Sequence, residues 1–280
     1  DAFNQACVLA ALGEKPALLS RMADDDSGRM MRAALQKRGI DDRFVFSDPD
    51  TGTSTCIVLI KENAQRSFLT FKGCLRNFGD GDIDYTCVRQ ARLVSIGGLF
   101  SLPSFDRSAS IRLLQAAKDA GCITVVDTKY DAFHIGLQGI GNLLEYTDYF
   151  FPSYDEAAAL SGLTEPAQIA RFFRSRGAKH VGVKLGADGC YVCSNAFCGT
   201  VAPFCTSVLD TTGAGDNFMA GLIHGVLRGW TIQDCVTFAN AAGALACSRL
   251  GATSDLDYLQ PIRNILSQTE AGTRLVKEGI

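Results

Sequence analysis

No window of the sequence offers the 18 or so uncharged apolar residues that a bilayer-spanning helix needs, so no membrane segment is expected. There is no basic excess either. Lys and Arg number 27 against 30 Asp and Glu, a formal net charge of −3, which leaves nothing to neutralise a nucleic-acid backbone or an anionic membrane. Histidine is scarce: His134, His180 and His224 show no ligand spacing and read as structural or surface residues. The single tryptophan, Trp230, follows Gly229 between two helical segments and reads as a packing anchor. The pattern GxxxxGK[ST] is missing, which excludes a Walker-type nucleotide site. Gly139-Ile140-Gly141 lacks the third glycine of a dinucleotide fingerprint and follows no clear strand. No signal peptide is visible, and the first residue is Asp1, not Met.

What is present reads as a folded globular protein. Hydrophobic residues make up 47% and charged residues 20% of 280, which predicts a sizeable core. The eleven cysteines are odd in number, and most lie in apolar runs such as Thr55-Cys56-Ile57-Val58. That predicts reduced, buried thiols in a cytoplasmic protein. Cys190 and Cys193, followed by Cys198 and Cys205, begin like a zinc knuckle. An odd offset on a strand sends Cys190 and Cys193 to opposite faces, and no second CxxC follows, so zinc is not expected.

Strands and helices alternate along most of the chain. Apolar residues at 4–12 have helical spacing, and 28–38 reads as an amphipathic helix capped by Asp25, Asp26 or Ser27. Residues 51–72 break the rhythm: Thr53 to Ile60 and Arg66 to Lys72 are β-rich around a polar turn, Lys61 to Gln65. This reads as an inserted hairpin, either a lid or an ordinary edge hairpin. Strands are then expected at 93–96, 123–126, 149–151, 181–184, 190–193 and 200–202. Helices are expected at 104–120, from 156, at 166–176, 214–229, 231–249 and near 255–267. Buried strands separated by such helices predict one α/β domain, a mainly parallel sheet covered on both faces. Ligands of such sheets gather at the carboxyl ends of strands. Gly97-Gly98, Asp127, Pro152-Ser153, Gly186 and the stretch from Asp210 to Asp216 all fall there.

The stretch Asp210-Thr211-Thr212-Gly213-Ala214-Gly215-Asp216 precedes a helix. Small residues let backbone N–H groups approach an anion, and the helix N-terminus adds donors and partial positive charge. A carboxylate beside bound phosphate is repelled unless it has a task; phosphoryl transfer supplies one, since the attacking hydroxyl must lose a proton. The plain alternative makes Asp216 a helix-start residue and nothing more. Lys129, just beyond Asp127, either meets a phosphate or substrate acid or is simply solvated.

Asp210 to Ile223 resembles the second signature of the ribokinase-like (PfkB) carbohydrate kinases position by position. Asn4-Gln5-Ala6, six residues, Gly13 and nine residues more resemble the first signature, with Ala23 where the family has glycine. Val183 to Gly189 and Phe238 to Gly243 also match, so the likeness spans the chain. It implies a ribokinase-like fold with a β lid at about 51–72, often a dimer contact in relatives, hence an expected homodimer. Asp216 matches the catalytic base, and Gly213, Ala214 and Gly215 the anion hole. Lys184, Gly186 and Gly189 match a loop contacting ATP, and Asn240 a position near adenine. Asn4 matches a substrate ligand, with Asp1 in the same loop. Asp210 and Thr212 match a monovalent-cation (K⁺) site, and Mg²⁺ follows from ATP chemistry. The family's Asn-x-x-Glu, tied to Mg²⁺ and phosphate, reads Ser153-Tyr154-Asp155-Glu156, so serine replaces the amide. A family first strand, carrying an acidic substrate ligand and a Gly-Gly pair, is expected to precede Asp1 in a longer chain. The function implied is phosphorylation of a sugar-type hydroxyl. The alternatives are a nucleoside acceptor, for which Phe68 and Phe71 could stack a base, and a non-catalytic regulatory protein on the same fold.

Overall fold

The computed structural model describes residues 1–60, 66–253 and 257–277. The chain opens with helix α1 (Ala2–Ala11), then β1 (Ser20–Ala23), α2 (Asp26–Lys37) and β2 (Val45–Asp48). Asp25 starts α2 by accepting from Gly28 N at 2.7 Å, satisfying one of the orphan donors of the first turn. Its other oxygen accepts from Thr53 N at 2.7 Å, so the same side chain anchors the segment leading into the hairpin. β1 and β2 pair in parallel as a separate two-stranded sheet. The sequence reading did not anticipate them, because four-residue strands give too little alternation to stand out.

The hairpin is real: β3 (Thr55–Ile60) pairs antiparallel with β4 (Arg66–Phe71) and with no other strand. The expected polar turn at 61–65 and the side chain of Phe68 lie outside the described residues. Its register puts Ile57 opposite Leu69 and Thr55 opposite Phe71. Ile57, Leu59, Leu69 and Phe71 therefore share one face, and each is about half exposed.

The main body follows as α3 (Tyr85–Gln90), β5 (Leu93–Leu99), α4 (Ser108–Asp119), β6 (Ile123–Thr128), α5 (Gly136–Gly139), β7 (Tyr149–Phe150), α6 (Tyr154–Ser161), α7 (Pro166–Arg174), β8 (His180–Lys184), β9 (Cys190–Cys193) and β10 (Cys198–Val201). Helices α8 (Ala214–Leu227), α9 (Ile232–Cys247), α10 (Leu259–Leu266) and α11 (Glu270–Lys277) close the chain. The six-stranded sheet runs β10-β9-β8-β7-β6-β5, parallel from β5 to β8 and antiparallel at β9 and β10.

Period-two alternation assigns the two faces. Val126, Phe150, Val181, Val183 and Cys193 pack with α3, α4, α6 and α7. Their neighbours Val125, Phe151, Cys190 and Val192 pack with α8 and α9. Phe151 is fully buried, and its ring lies over Gly182, where an added Cβ would stand 2.1 Å from a ring carbon. Burial of one such side chain contributes roughly 1.5–3 kcal/mol. The apolar face of α1 packs on α8 and α9 through Val8 and Leu12, which brings the start of the chain to the carboxyl end of the sheet.

The opposite-face expectation for Cys190 and Cys193 holds, since they belong to different core layers. The expectation of reduced, buried thiols needs correction. Cys193 and Cys198 face each other across β9 and β10 and are joined as a disulfide. Cys56 and Cys205 are exposed. The cross-strand partner of Cys193 follows from hairpin register, which residue spacing alone did not fix.

Candidate active site

The turn before α8 is shaped by one residue that must be glycine. Gly213 has φ +78°, and a Cβ there would stand 2.6 Å from Ala252 Cα. Both the left-handed conformation and the close backbone approach exclude a side chain. Asp210 holds the turn from below. Its Oδ1 accepts from Thr212 N and its Oδ2 from Gly251 N, both at 2.9 Å. Asn217 Nδ2 donates to Gly213 O at 2.8 Å and to Ala252 O at 3.0 Å. The loop at 251–252 is thus tied to the glycine turn, and the first N–H groups of α8 are left without intrahelical acceptors.

Asp216 sits in the first turn of α8 and is nearly buried, at 8% exposure. Two amides of α1 aim at its two oxygens. Asn4 Nδ2 donates to Oδ2 at 2.7 Å, and Gln5 Nε2 donates to Oδ1 at 3.3 Å. The approach of α1 depends on Gly97-Gly98 at the end of β5. A Cβ on Gly97 would stand 3.0 Å from Ala2 N, and one on Gly98 2.5 Å from Asp1 Oδ2. Asp1 also pairs with Lys129, 3.1 Å from Oδ1 to Nζ, so that lysine is not merely solvated. Lys72, at the exit of β4, is lowered below its ordinary pKa by burial and by the charge of Lys129.

Behind Asp216 lies a second acid. Asp127, on β6, is buried at 5% exposure and accepts from Lys184 Nζ at 2.6 Å through Oδ1. Gln5 Nε2 reaches its Oδ2 at 3.5 Å, so one amide spans both carboxylates. Burial pushes Asp127 up to about 6, against the opposing pull of Lys184. Burial alone would lower Lys184, but the charge and hydrogen bond of Asp127, with Glu156 and Asp216 beyond, raise it. Both the contact and the upward shift favour Lys184 as the ammonium, held against Asp127. The Lys184 ammonium also lies 3.7 Å from where a Cβ on Gly215 would stand, directly against the glycine turn. Glu156 completes this wall: its Oε2 accepts from Thr128 Oγ1 at 2.8 Å and from Ser153 N at 3.0 Å. A cleft of about 310 Å³ opens beside Glu156, with Tyr130 and His134 on its rim.

The structure brings together Asp1, Asn4, Lys184, Glu156, Ser153 and the segment 213–216 at one end of the sheet. Gly186 and Gly189 bend the loop after β8 in left-handed conformations, with Leu185 N bonded to Gly189 O at 2.8 Å. Asn240 spends its Nδ2 on Val201 O and Ala202 O, at 3.2 and 2.9 Å. It thereby clamps the exit of β10 to α9 beside that loop. Asp210 and Thr212 share one turn, and the Asp210 carboxylate is bonded to the backbone N–H groups of Thr212 and Gly251. Among the described residues no group of three or more His, Cys, Asp or Glu side chains converges as a metal site. No helix among them is long and apolar enough to cross a membrane. Two members of the constellation were not singled out in the sequence as chemical groups: Gln5 and Asn217. Both adjoin signature residues, but only tertiary packing reveals what their amides meet. Asp127 was placed at a strand end, without its partner Lys184.

Comparison with known proteins identifies the family of the chain. The family model for pfkB family carbohydrate kinases matches residues 1–258. A fructokinase-2 of Oryza sativa subsp. japonica is 26% identical over 282 aligned residues, covering 95% of this chain and 83% of the relative. A crystal structure of a PfkB protein from Polaromonas sp. JS666 superposes with a TM-score of 0.78 at 29% identity, covering 90% of this chain and 85% of that one. An Arabidopsis thaliana ribokinase complexed with ribose and ATP gives a TM-score of 0.78 at 26% identity, covering 94% and 86%.

Proposed function

The chain belongs to the pfkB family of carbohydrate kinases and is a sugar kinase, and from that premise we propose that Asp216 deprotonates the sugar hydroxyl as it attacks the γ-phosphorus of ATP. The carrying observation is that both oxygens of Asp216 are held by the Asn4 and Gln5 amides in front of the Gly213–Gly215 turn. The hydroxyl oxygen bonds to phosphorus, its proton passes to Asp216, and ADP leaves with the electrons of the broken P–O bond. Charge on the moving phosphoryl group meets the N–H groups at the start of α8 and the Lys184 ammonium. Asp1 and Asn4 supply polar contacts to the sugar.

The nucleotide lies along Gly186 and Gly189 toward the β10–α9 junction at Asn240, and the ribokinase relative is one complexed with ATP. Mg²⁺ is held by hard oxygens and commonly takes only one or two carboxylates besides phosphate and water. That suits a wall offering Glu156, with no cage of three or more acidic, His or Cys side chains among the described residues and with Ser153 at the phosphate edge. A monovalent cation such as K⁺ would be held near Asp210 and Thr212, where the 251 loop is drawn in. The β3–β4 hairpin serves as the substrate lid, and its apolar face of Ile57, Leu59, Leu69 and Phe71 meets a second copy in a homodimer. We place the enzyme in the cytoplasm, which suits the nine cysteines that remain thiols outside the Cys193–Cys198 pair.

A nucleoside is the competing acceptor, and the exposed Phe71 ring on the lid is the observation that favours it. Coupled ADP release with fructose, ribose and a set of nucleosides decides between them; turnover of nucleosides alone would overturn the sugar assignment. Asp216→Asn is expected to keep ATP binding while turnover falls by roughly 10³-fold or more, as loss of a general base does. Retained turnover would refute the role of Asp216.

A further inference from the structure

We infer that Gln5 is a positioning residue of this kinase, its side-chain amide joining Asp216 to the Asp127–Lys184 pair so that base and ammonium are aimed together at the glycine turn. This rests on the reading of Asp216 as the base. Gln5 is 3% exposed, and its Nε2 donates to Asp216 Oδ1 at 3.3 Å and to Asp127 Oδ2 at 3.5 Å. The two contacts are long because a single nitrogen spans two acids. A buried carboxamide is costly unless its hydrogens are used, and an apolar side chain of similar size would fill the same space without that cost. Room for the amide is also provided: a Cβ on Gly97 would come within 3.1 Å of Nε2.

The groups facing this bridge are Asn4 on α1, Asp127 on β6, Lys184 on β8, Glu156 on α6 and Asp216 on α8. Lys129 and Asp1 pair with each other at the rim. Lys184 neutralises one of the two facing carboxylates. Without the Gln5 hydrogens, Asp216 and Asp127 would face each other with no donor between them, and protonation of one would be favoured. Asp127 would then release Lys184 from its place beside Gly215.

The test compares Gln5→Leu and Gln5→Glu with the wild-type enzyme. It uses ATP and whichever of fructose or ribose turns over faster, from pH 5 to 9, with melting temperatures measured in parallel. Gln5→Leu is expected to lower kcat about tenfold or more with the KM for ATP within about threefold, and to move the acidic limb of the kcat/KM profile up by about 0.5–1 pH unit. Gln5→Glu should be worse than Gln5→Leu above pH 7 and recover toward pH 6, where a protonated glutamic acid can again donate. Profiles that keep the wild-type shape, with activity lost only in step with folded protein, would reduce Gln5 to a packing residue. Asp216→Asn assayed alongside separates the two claims: if that variant turns over normally, the base assignment falls and this inference with it.

Discussion

At Asp127, burial and pairing pull in opposite directions, and the outcome sets a pH dependence. Desolvation raises its carboxyl to about 6, although Lys184 opposes the shift. As pH falls through 6, Asp127 takes up a proton and its hold on Lys184 weakens, so kcat/KM should decline along that limb. Stability moves the other way for this group. The folded carboxyl keeps its proton at a pH where the unfolded one, with an ordinary value near 3.8, has lost it. The contribution of Asp127 to stability is therefore greatest below about 4 and diminishes as pH rises through 6. Asp127→Asn should flatten the acidic limb while lowering activity, because Lys184 is left buried without its counter-charge. A pH–rate profile that keeps its limb near 6 in that variant would contradict the assignment. Single residues were legible in the sequence where the backbone imposes them. Gly213 was one, because only glycine suits its conformation and its distance from Ala252. The Asp127–Lys184 contact was not, since 57 positions separate the partners and no local pattern encodes a cross-strand ion pair.

Among the elements, the hairpin carries the sharpest consequence. Thr53 to Ile60 and Arg66 to Lys72 read as strands because β-branched and aromatic residues dominate them, and the strands formed are Thr55–Ile60 and Arg66–Phe71. The register adds what composition does not: Ile57, Leu59, Leu69 and Phe71 lie on one side, each about half exposed. Four large apolar groups left in water on a two-stranded sheet favour association. Leu69→Asp is expected to convert a dimer to a monomer in sedimentation or light-scattering measurements while leaving the fold of the main sheet intact by circular dichroism. A wild-type protein that is monomeric at micromolar concentration would remove the basis for this prediction. The long helices α8 and α9 were placed to within two residues of their ends, because caps and glycines punctuate them. The short strands β1 and β2 escaped notice. Each presents only four residues, and Asp25, which organises their surroundings, reads in sequence as a helix cap alone.

The whole molecule is a sheet whose two faces are filled by alternate residues of the same strands, and its stability is shared between two packed layers. Phe151 and Gly182 show how closely one layer is fitted. Gly182→Val would drive a branched side chain into the Phe151 ring, a case of overpacking that costs about 1–3 kcal/mol or more. A lowered melting temperature is expected, and an unchanged one would mean that the ring can move aside. The fold class was legible because alternating buried strands and capped helices leave few topologies. In the six-stranded sheet the strands stand side by side in chain order from β5 to β10, an order that the sequence reading left open. The hairpin disulfide at Cys193 and Cys198 was hidden, since it depends on which residues of β9 and β10 stand opposite.

The side chains that grip Asp216 come from the first five residues of the chain, and its electrostatic neighbours from two strands more than fifty positions apart. No contiguous fragment contains enough of them to perform a slower version of the reaction. Turnover is thus a reporter of the entire tertiary structure. During denaturant titration it should vanish no later than the spectroscopic signal of folding, and a protease cut between α1 and β6 that lets the pieces drift apart should silence the enzyme completely, not leave it impaired.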